Sequence, residues 1–163
     1  MKGKGGEIMR QGVCHLIHSL SQAKVALGQE ELQQWFDTIK DNLRHPNQDI
    51  QEDASRAFRS FCDAFFADDQ LEADKMFLID AIKQLYRPSQ VDDSISVTKG
   101  YNMALGSLSG KLYLELNVEL IDTLLKNCLP KGKESDDAET RRQAVKSLIN
   151  VVKAIGVANI DRD

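Results

Sequence analysis

Apolar residues recur along this chain at steps of three and four, which is the spacing of one helix face rather than of a strand. Ile8, Met9, Val13, Leu16, Ile17 and Leu20 mark a first helix over about 7–20. Leu32, Trp35, Phe36, Ile39 and Leu43 mark a second over 29–43, before Pro46. A third, 48–66, carries Ile50, Ala54, Ala57, Phe58, Phe61 and Phe65. Leu71, Met76, Leu78, Ile79, Ile82, Leu85 and Tyr86 give a fourth over 70–86, closed by Pro88. A fifth spans 93–108, and a sixth, 112–128, contains Leu112, Leu116, Leu120, Ile121, Leu124 and Leu125. The seventh runs over 137–155, with Gly156 in the position of a C-terminal cap. No segment alternates with period two for the length of a strand. The pattern predicts an all-α fold of about seven helices.

The odd-numbered helices fall into register when started at Met9, Ile50, Val97 and Thr140, which lie 41, 47 and 43 residues apart. Position +4 is then Val13, Ala54, Tyr101 and Ala144; position +7 is Leu16, Ala57, Ala104 and Ser147. Position +8 is Ile17, Phe58, Leu105 and Leu148, and position +11 is Leu20, Phe61, Leu108 and Val151. A two-helix unit of roughly 40–47 residues is the period of HEAT and armadillo repeats. The expectation is an α-solenoid of about three and a half helical hairpins, a single segment over 1–163. The links 45–49, 87–94 and 130–137 put an Asp or Ser before each new helix, where a side-chain oxygen caps free amides.

The stretch TKGYNMALGSLSG, residues 98–110, holds Gly100, Gly106 and Gly110 among helically spaced apolar residues. Glycine inside a helix costs about 1 kcal/mol relative to alanine. Inter-repeat packing is the offset to expect, with Ala104 and Gly106 as points of close backbone approach and Gly110 ending the helix. A phosphate-cradling loop would need its glycines between a strand and a helix start, which this stretch does not offer.

Composition narrows the function classes. Of 163 residues, 42% are apolar and 28% charged, and the net charge is −4, so the global basic excess of a nucleic-acid binder is missing. No apolar run reaches the ~20 residues that span a bilayer, which argues against membrane insertion. The opening MKGKGGE lacks an apolar signal core and reads as the start of an excised fragment. Cys14, Cys62 and Cys128 stand far apart in apolar runs without a CxxC pair, so buried reduced thiols in a cytosolic or nuclear setting are expected.

Candidate chemistry is sparse. Cys14 and His18 are i, i+4 and could supply two metal ligands, but no further pair stands nearby, and His45 precedes a proline. Ser19 beside His18 has no Asp to complete a nucleophilic triad. The pairs Asp68/Asp69, Asp92/Asp93 and Asp136/Asp137 sit at helix starts and read as solvated caps. No phosphate-binding loop, nucleophile elbow or dinucleotide fingerprint occurs. No catalytic residue, metal or cofactor is therefore expected.

A surface remains. In the aligned helices, positions +2, +3 and +6 should point away from the partner helices. They supply Gln11 and His15, then Glu52, Asp53 and Arg56, then Lys99 and Met103, then Arg142 and Lys146; position +1 adds Arg10 and Arg141. The stripe grows more basic toward the later helices. It reads either as a solvated face or as a groove for an acidic protein partner, in which charge assists encounter more than affinity.

Three segments carry a family resemblance: MRQGVCHLIHSLS (9–21), TKGYNMALGSLSG (98–110) and AETRRQAVKSLINVVKAIGV (138–157). Together they resemble the tubulin-folding cofactor D family, with the Met103–Gly110 stretch and the Arg141-Arg142 helix start as the most specific parts. The resemblance implies a piece from the C-terminal half of a much longer HEAT/armadillo chain. It implies partners in β-tubulin, tubulin-folding cofactors E and C and an Arf-like small GTPase, and a role in assembling and dismantling the α/β-tubulin heterodimer. It also implies stimulation of GTP hydrolysis by tubulin within the larger complex, and a cytoplasmic, cytoskeletal and centrosomal setting. No family binding residue carries over to this segment. The piece is expected to be monomeric. Two other readings share the architecture: a spacer that only maintains the solenoid, and an armadillo-type peptide adaptor. The adaptor is disfavoured, because its inner helices would repeat Trp–Asn pairs, whereas the one tryptophan, Trp35, lies on a first helix.

Overall fold

A computed structural model describes residues 4–67, 70, 72–86, 94–116, 119–129 and 138–156. Among these, every regular element is a helix: α1 (Lys4–Gln22), α2 (Gln29–Leu43), α3 (Gln48–Phe65), α4 (Glu72–Tyr86), α5 (Ile95–Leu105), α6 (Gly110–Glu115), α7 (Glu119–Cys128) and α8 (Ala138–Ile155). Helix starts follow local chemistry. Asn47 caps α3 by accepting from the Asp49 amide, and Ser94 caps α5 by accepting from that of Val97. In the 45–49 link the cap is thus Asn47, while Asp49 lies in the first turn. Gly156, at φ +79°, follows the last residue of α8 and returns its N–H to the Val152 carbonyl, as a left-handed cap does. The acidic pairs at 68–69, 92–93 and 136–137 and the link 130–137 lie outside the described residues.

Helix α1 packs on α3, α3 on α5 and α5 on α8, forming a row. Around it, α2 lies on α3 and α5, α4 on α3, α5 and α7, and α7 on α8. This all-helical arrangement is compatible with an α-solenoid. The core follows the apolar stripes. Phe36, Phe58, Phe61, Ile39, Leu43, Ile50, Leu78 and Ile82 are at most 1% exposed. Phe36 meets Phe58 at 6.5 Å between centroids and Phe77 edge-on at 6.4 Å.

Two expectations need correction. The predicted sixth helix is two helices, because Leu116 adopts an extended backbone (φ −91°, ψ 102°) and ends α6. Leu112, Tyr113 and Leu116 are buried before the break and Leu120 and Leu124 after it, so the i, i+4 pattern continues across a discontinuity it cannot reveal. The Tyr113 hydroxyl donates to the Leu105 carbonyl at 2.6 Å, tying α6 to the end of α5. The predicted fifth helix also stops early. Gly106 is the C-cap of α5, and Gly110 opens α6 rather than closing a helix.

The glycines do serve close approach. A Cβ on Gly106 would overlap Ser147 of α8, and one on Gly100 would overlap the Leu43 carbonyl at the end of α2. Gln51 occupies the same junction: its side-chain amide is 1% exposed and donates to the Leu43 carbonyl at 3.0 Å and the Ser96 carbonyl at 2.7 Å. One side chain therefore joins the end of α2 to the start of α5 through α3.

Candidate functional site

An α-helix turns about 100° per residue, so with +4, +7 and +11 facing the core, positions +2, +6 and +9 face away from it. Position +3 lies on the flank. Asp53, at +3 in α3, accordingly sits in the seam with α1 and its side chain is only 10% exposed. It accepts from Gln11 at 3.0 Å, pairs with Arg56 at 3.1 Å and lies 3.1 Å from His15 Nε2. Two donors and an imidazole nitrogen converge on one buried carboxylate, and burial of that group requires such partners. Asp53 belongs to the scaffold, and its expected place on the outward face is corrected.

The predicted residues divide into two groups. His15, Arg56, Arg142 and Lys146 lie on the outward face, with side-chain exposures of 58%, 57% and 70% for the first three. Lys146 is exposed as well. Lys99 is at the expected position but only 15% exposed, held by Gln48 at 3.0 Å and by Glu139 of α8 at 3.5 Å. Arg10 turns toward α2, where it pairs with Asp41 at 2.6 Å and donates to Asn42 at 2.7 Å. It lines a groove of about 370 Å³ between α1 and α2 together with Asp37, Thr38 and Asp41. Met103 and Arg141 are half-buried. Position +1 thus belongs to the helix seams.

Two cations on the outward face were missed. Arg59, at +9 in α3, has a 59% exposed side chain and a long 3.7 Å pair to Asp63; Lys153, at +13 in α8, is exposed. Continuing the same 100° step past +6 finds both. The face that results is mixed, since Glu52 and Asp63 stand beside the arginines. The exposed pairs of Arg59 with Asp63 and of Arg142 with Glu139 contribute about 0–1 kcal/mol each.

The thiol and imidazole groups are placed otherwise. Cys14 and Cys62 are buried, while Cys128 is half-buried, against the expectation of burial. Burial, assisted by the nearby Asp53 carboxylate, pushes the Cys14 thiol from 9.0 up to about 11, and burial raises Cys62 well above its usual value. Both are protonated and poor nucleophiles at neutral pH. His18 shares a 2.7 Å hydrogen bond between its Nδ1 and Ser60 Oγ. Among the described residues no three His, Cys, Asp or Glu side chains are grouped to hold a metal ion. No described helix is long and apolar enough to cross a membrane.

The described residues form an all-helical arrangement whose candidate site is a charged helix surface. The chain is 25% identical over 116 residues to tubulin-specific chaperone D of Dictyostelium discoideum. That match takes in 69% of this chain and 8% of that protein's length. No protein-family profile matches the chain. No solved structure matches it either.

Proposed function

We propose that this chain is an α-solenoid segment of a tubulin-folding scaffold, built from successive helical hairpins and acting without catalysis. The observation that carries the reading is the similarity to tubulin-specific chaperone D, which extends over 116 residues. The row α1–α3–α5–α8 and the aligned positions within it support the solenoid part. On this reading the outward face, with His15, Arg56, Arg59, Arg142 and Lys146, meets an acidic surface of tubulin, β-tubulin first among the candidates. Arg10, Lys99, Met103 and Arg141 position the helices that carry it. Tubulin-folding cofactors E and C and an Arf-like small GTPase are the further partners of the whole scaffold, in the cytoplasm and at the cytoskeleton and centrosome. Any stimulation of tubulin GTP hydrolysis belongs to that larger complex. The spacer reading is favoured by one specific feature, the internal pairing of Lys99 and Arg10 with neighbouring helices.

Co-elution of the chain with native tubulin on a sizing column, at low and at moderate salt, tests the proposal. Arg142→Glu/Lys146→Glu is run alongside. A complex that weakens with salt and is lost on charge reversal supports the outward face as the contact, because exposed charges are screened within about 10 Å at 0.1 M salt. No complex under any condition would favour the spacer.

A further inference from the structure

We propose that the acidic partner docks along α8 alone, as a helix whose carboxylates lie against the stripe Arg142, Lys146, Asn150 and Lys153. The inference rests on the reading of the outward face as a contact for an acidic protein, and narrows it to one helix and one partner chemistry. Charge is divided unevenly over the chain. The net charge is −4, yet α8 holds Arg141, Arg142, Lys146 and Lys153 against one acid, Glu139. Cations elsewhere are matched locally. In the helices before α8 each has an Asp or Glu three or four residues away, as Lys75 has Glu72, Lys83 has Asp80 and Arg59 has Asp63. The exception, Lys99, pairs with Glu139 instead. Lys146 and Lys153 have no acid at either spacing and make no ion pair among the described residues. Arg142 and Lys146, four residues apart, set like charges side by side, which weakens a helix. Helix formation does not call for that imbalance, whereas an anionic partner does.

The stripe does not owe its exposure to its place at the end of the row. Positions +2, +6 and +13 are exposed at Glu52, Arg56 and Asp63 of α3, which has helices on both sides. A further helix beyond α8 would therefore leave Arg142, Lys146 and Lys153 open as well. On α3 the cations are already engaged, Arg56 with Asp53 at 3.1 Å and Arg59 with Asp63 at 3.7 Å, so a partner there would have to displace an acid. Along α8 nothing needs displacing from either lysine. At 1.5 Å and 100° per residue, positions 142, 146, 150 and 153 span about 16 Å within roughly 80° of arc. A partner helix has the same rise, so carboxylates spaced alike meet all three cations, with the exposed Asn150 between them. A longer polyphosphate would run on to Glu52 and Asp63 of α3 and meet a chain of net negative charge, which disfavours nucleic acid.

Fluorescence anisotropy on the whole 163-residue chain, at about 50 mM salt where exposed charges are weakly screened, tests it. The probes are two labelled, alanine-rich helical peptides of identical composition. One carries its glutamates in a single stripe at the α8 spacing, and the other has them spread around the helix. The striped peptide is expected to bind about fivefold tighter or more, and Lys146→Glu/Lys153→Glu to weaken it about tenfold or more. Arg59→Glu should cost less than Lys146→Glu, and Lys83→Glu/Lys126→Glu, the control for net charge, less again. The melting temperature of the α8 variant should hold, because Lys146→Glu turns the like-charge pair with Arg142 into an opposite one. Equal binding of the two peptides, an Arg59→Glu loss as large as that of Lys146→Glu, a fall in that melting temperature, or tighter binding of a short DNA duplex would each overturn the proposal. Native tubulin, run as a further probe, separates this assignment from the reading beneath it. Striped-peptide binding at α8 without a tubulin complex supports the stripe and removes tubulin as its partner. A tubulin complex untouched by Lys146→Glu/Lys153→Glu overturns the stripe and leaves the tubulin reading in place.

Discussion

The aromatic cluster around Phe36 and the seam between α5 and α8 are both buried, but for opposite reasons. In the cluster, Phe36 and Phe58 are at most 1% exposed and, with Phe77, fill the space where α2, α3 and α4 meet. In the seam, Gly106 stands against Ser147, and Ala104 and Ala144 are 0% exposed; just beyond it Gly110, at the start of α6, stands against the Ala154 carbonyl. Polar atoms share that seam. Ser147 Oγ donates to the Asn102 carbonyl at 2.6 Å, and the Asn127 amide to Asn102 Oδ1 at 2.9 Å. One region is held by side-chain volume and the other by its absence, which lets backbones come within hydrogen-bonding reach. Truncation should hurt the first, and enlargement the second.

The largest effect is expected from Phe58→Ala, which leaves a cavity beside Phe36 and should cost about 3–5 kcal/mol in urea denaturation. An unchanged urea midpoint would show that the cluster is not the principal core. Gly106→Leu and Ala104→Leu should each cost about 1–3 kcal/mol by overpacking the seam, and the same rule predicts little penalty for Leu at the open Gly12. Equal melting temperatures for wild type and both seam variants would end the close-packing account of these positions. The smallest effect is in pH. The Cys14 thiol titrates near 11 in the folded chain against 9.0 for its ordinary value, so the unfolded chain gives up its proton first. Stability from this group is therefore complete below pH 9 and declines as pH rises toward 11. Cys14→Ala should flatten that alkaline decline, and an identical pH profile in the variant would remove Cys14 as its source.

Helix existence was readable because burial repeats at the helical period: α2 and α3 begin where the pattern places them, and Asn47 and Ser94 carry their own cap oxygens. Boundaries that depend on contact were not. Nothing in LYLELNVEL distinguishes a continuous helix from one ended by an extended Leu116, since the apolar spacing is the same either way. The outward face was half legible. His15, Arg56, Arg142 and Lys146 follow from the 100° step alone, whereas the capture of Lys99 by Glu139 and of Arg10 by Asp41 joins residues 40 and 31 positions apart.

By itself, then, the sequence determined that the chain is helical, which stripe of each helix is buried, and where the four helices of the row share small or apolar positions. Those are local properties, set by the 3.6-residue period and by side-chain size. Tertiary structure alone decided that Gly100 and Gly106 meet a carbonyl and a serine, that Asp53 is a buried hub and not a surface acid, and that Met9, Leu16 and Val145 remain uncovered. A helix pattern specifies which side is apolar. Which neighbour covers that side, and whether any does, depends on the arrangement of helices distant in the chain.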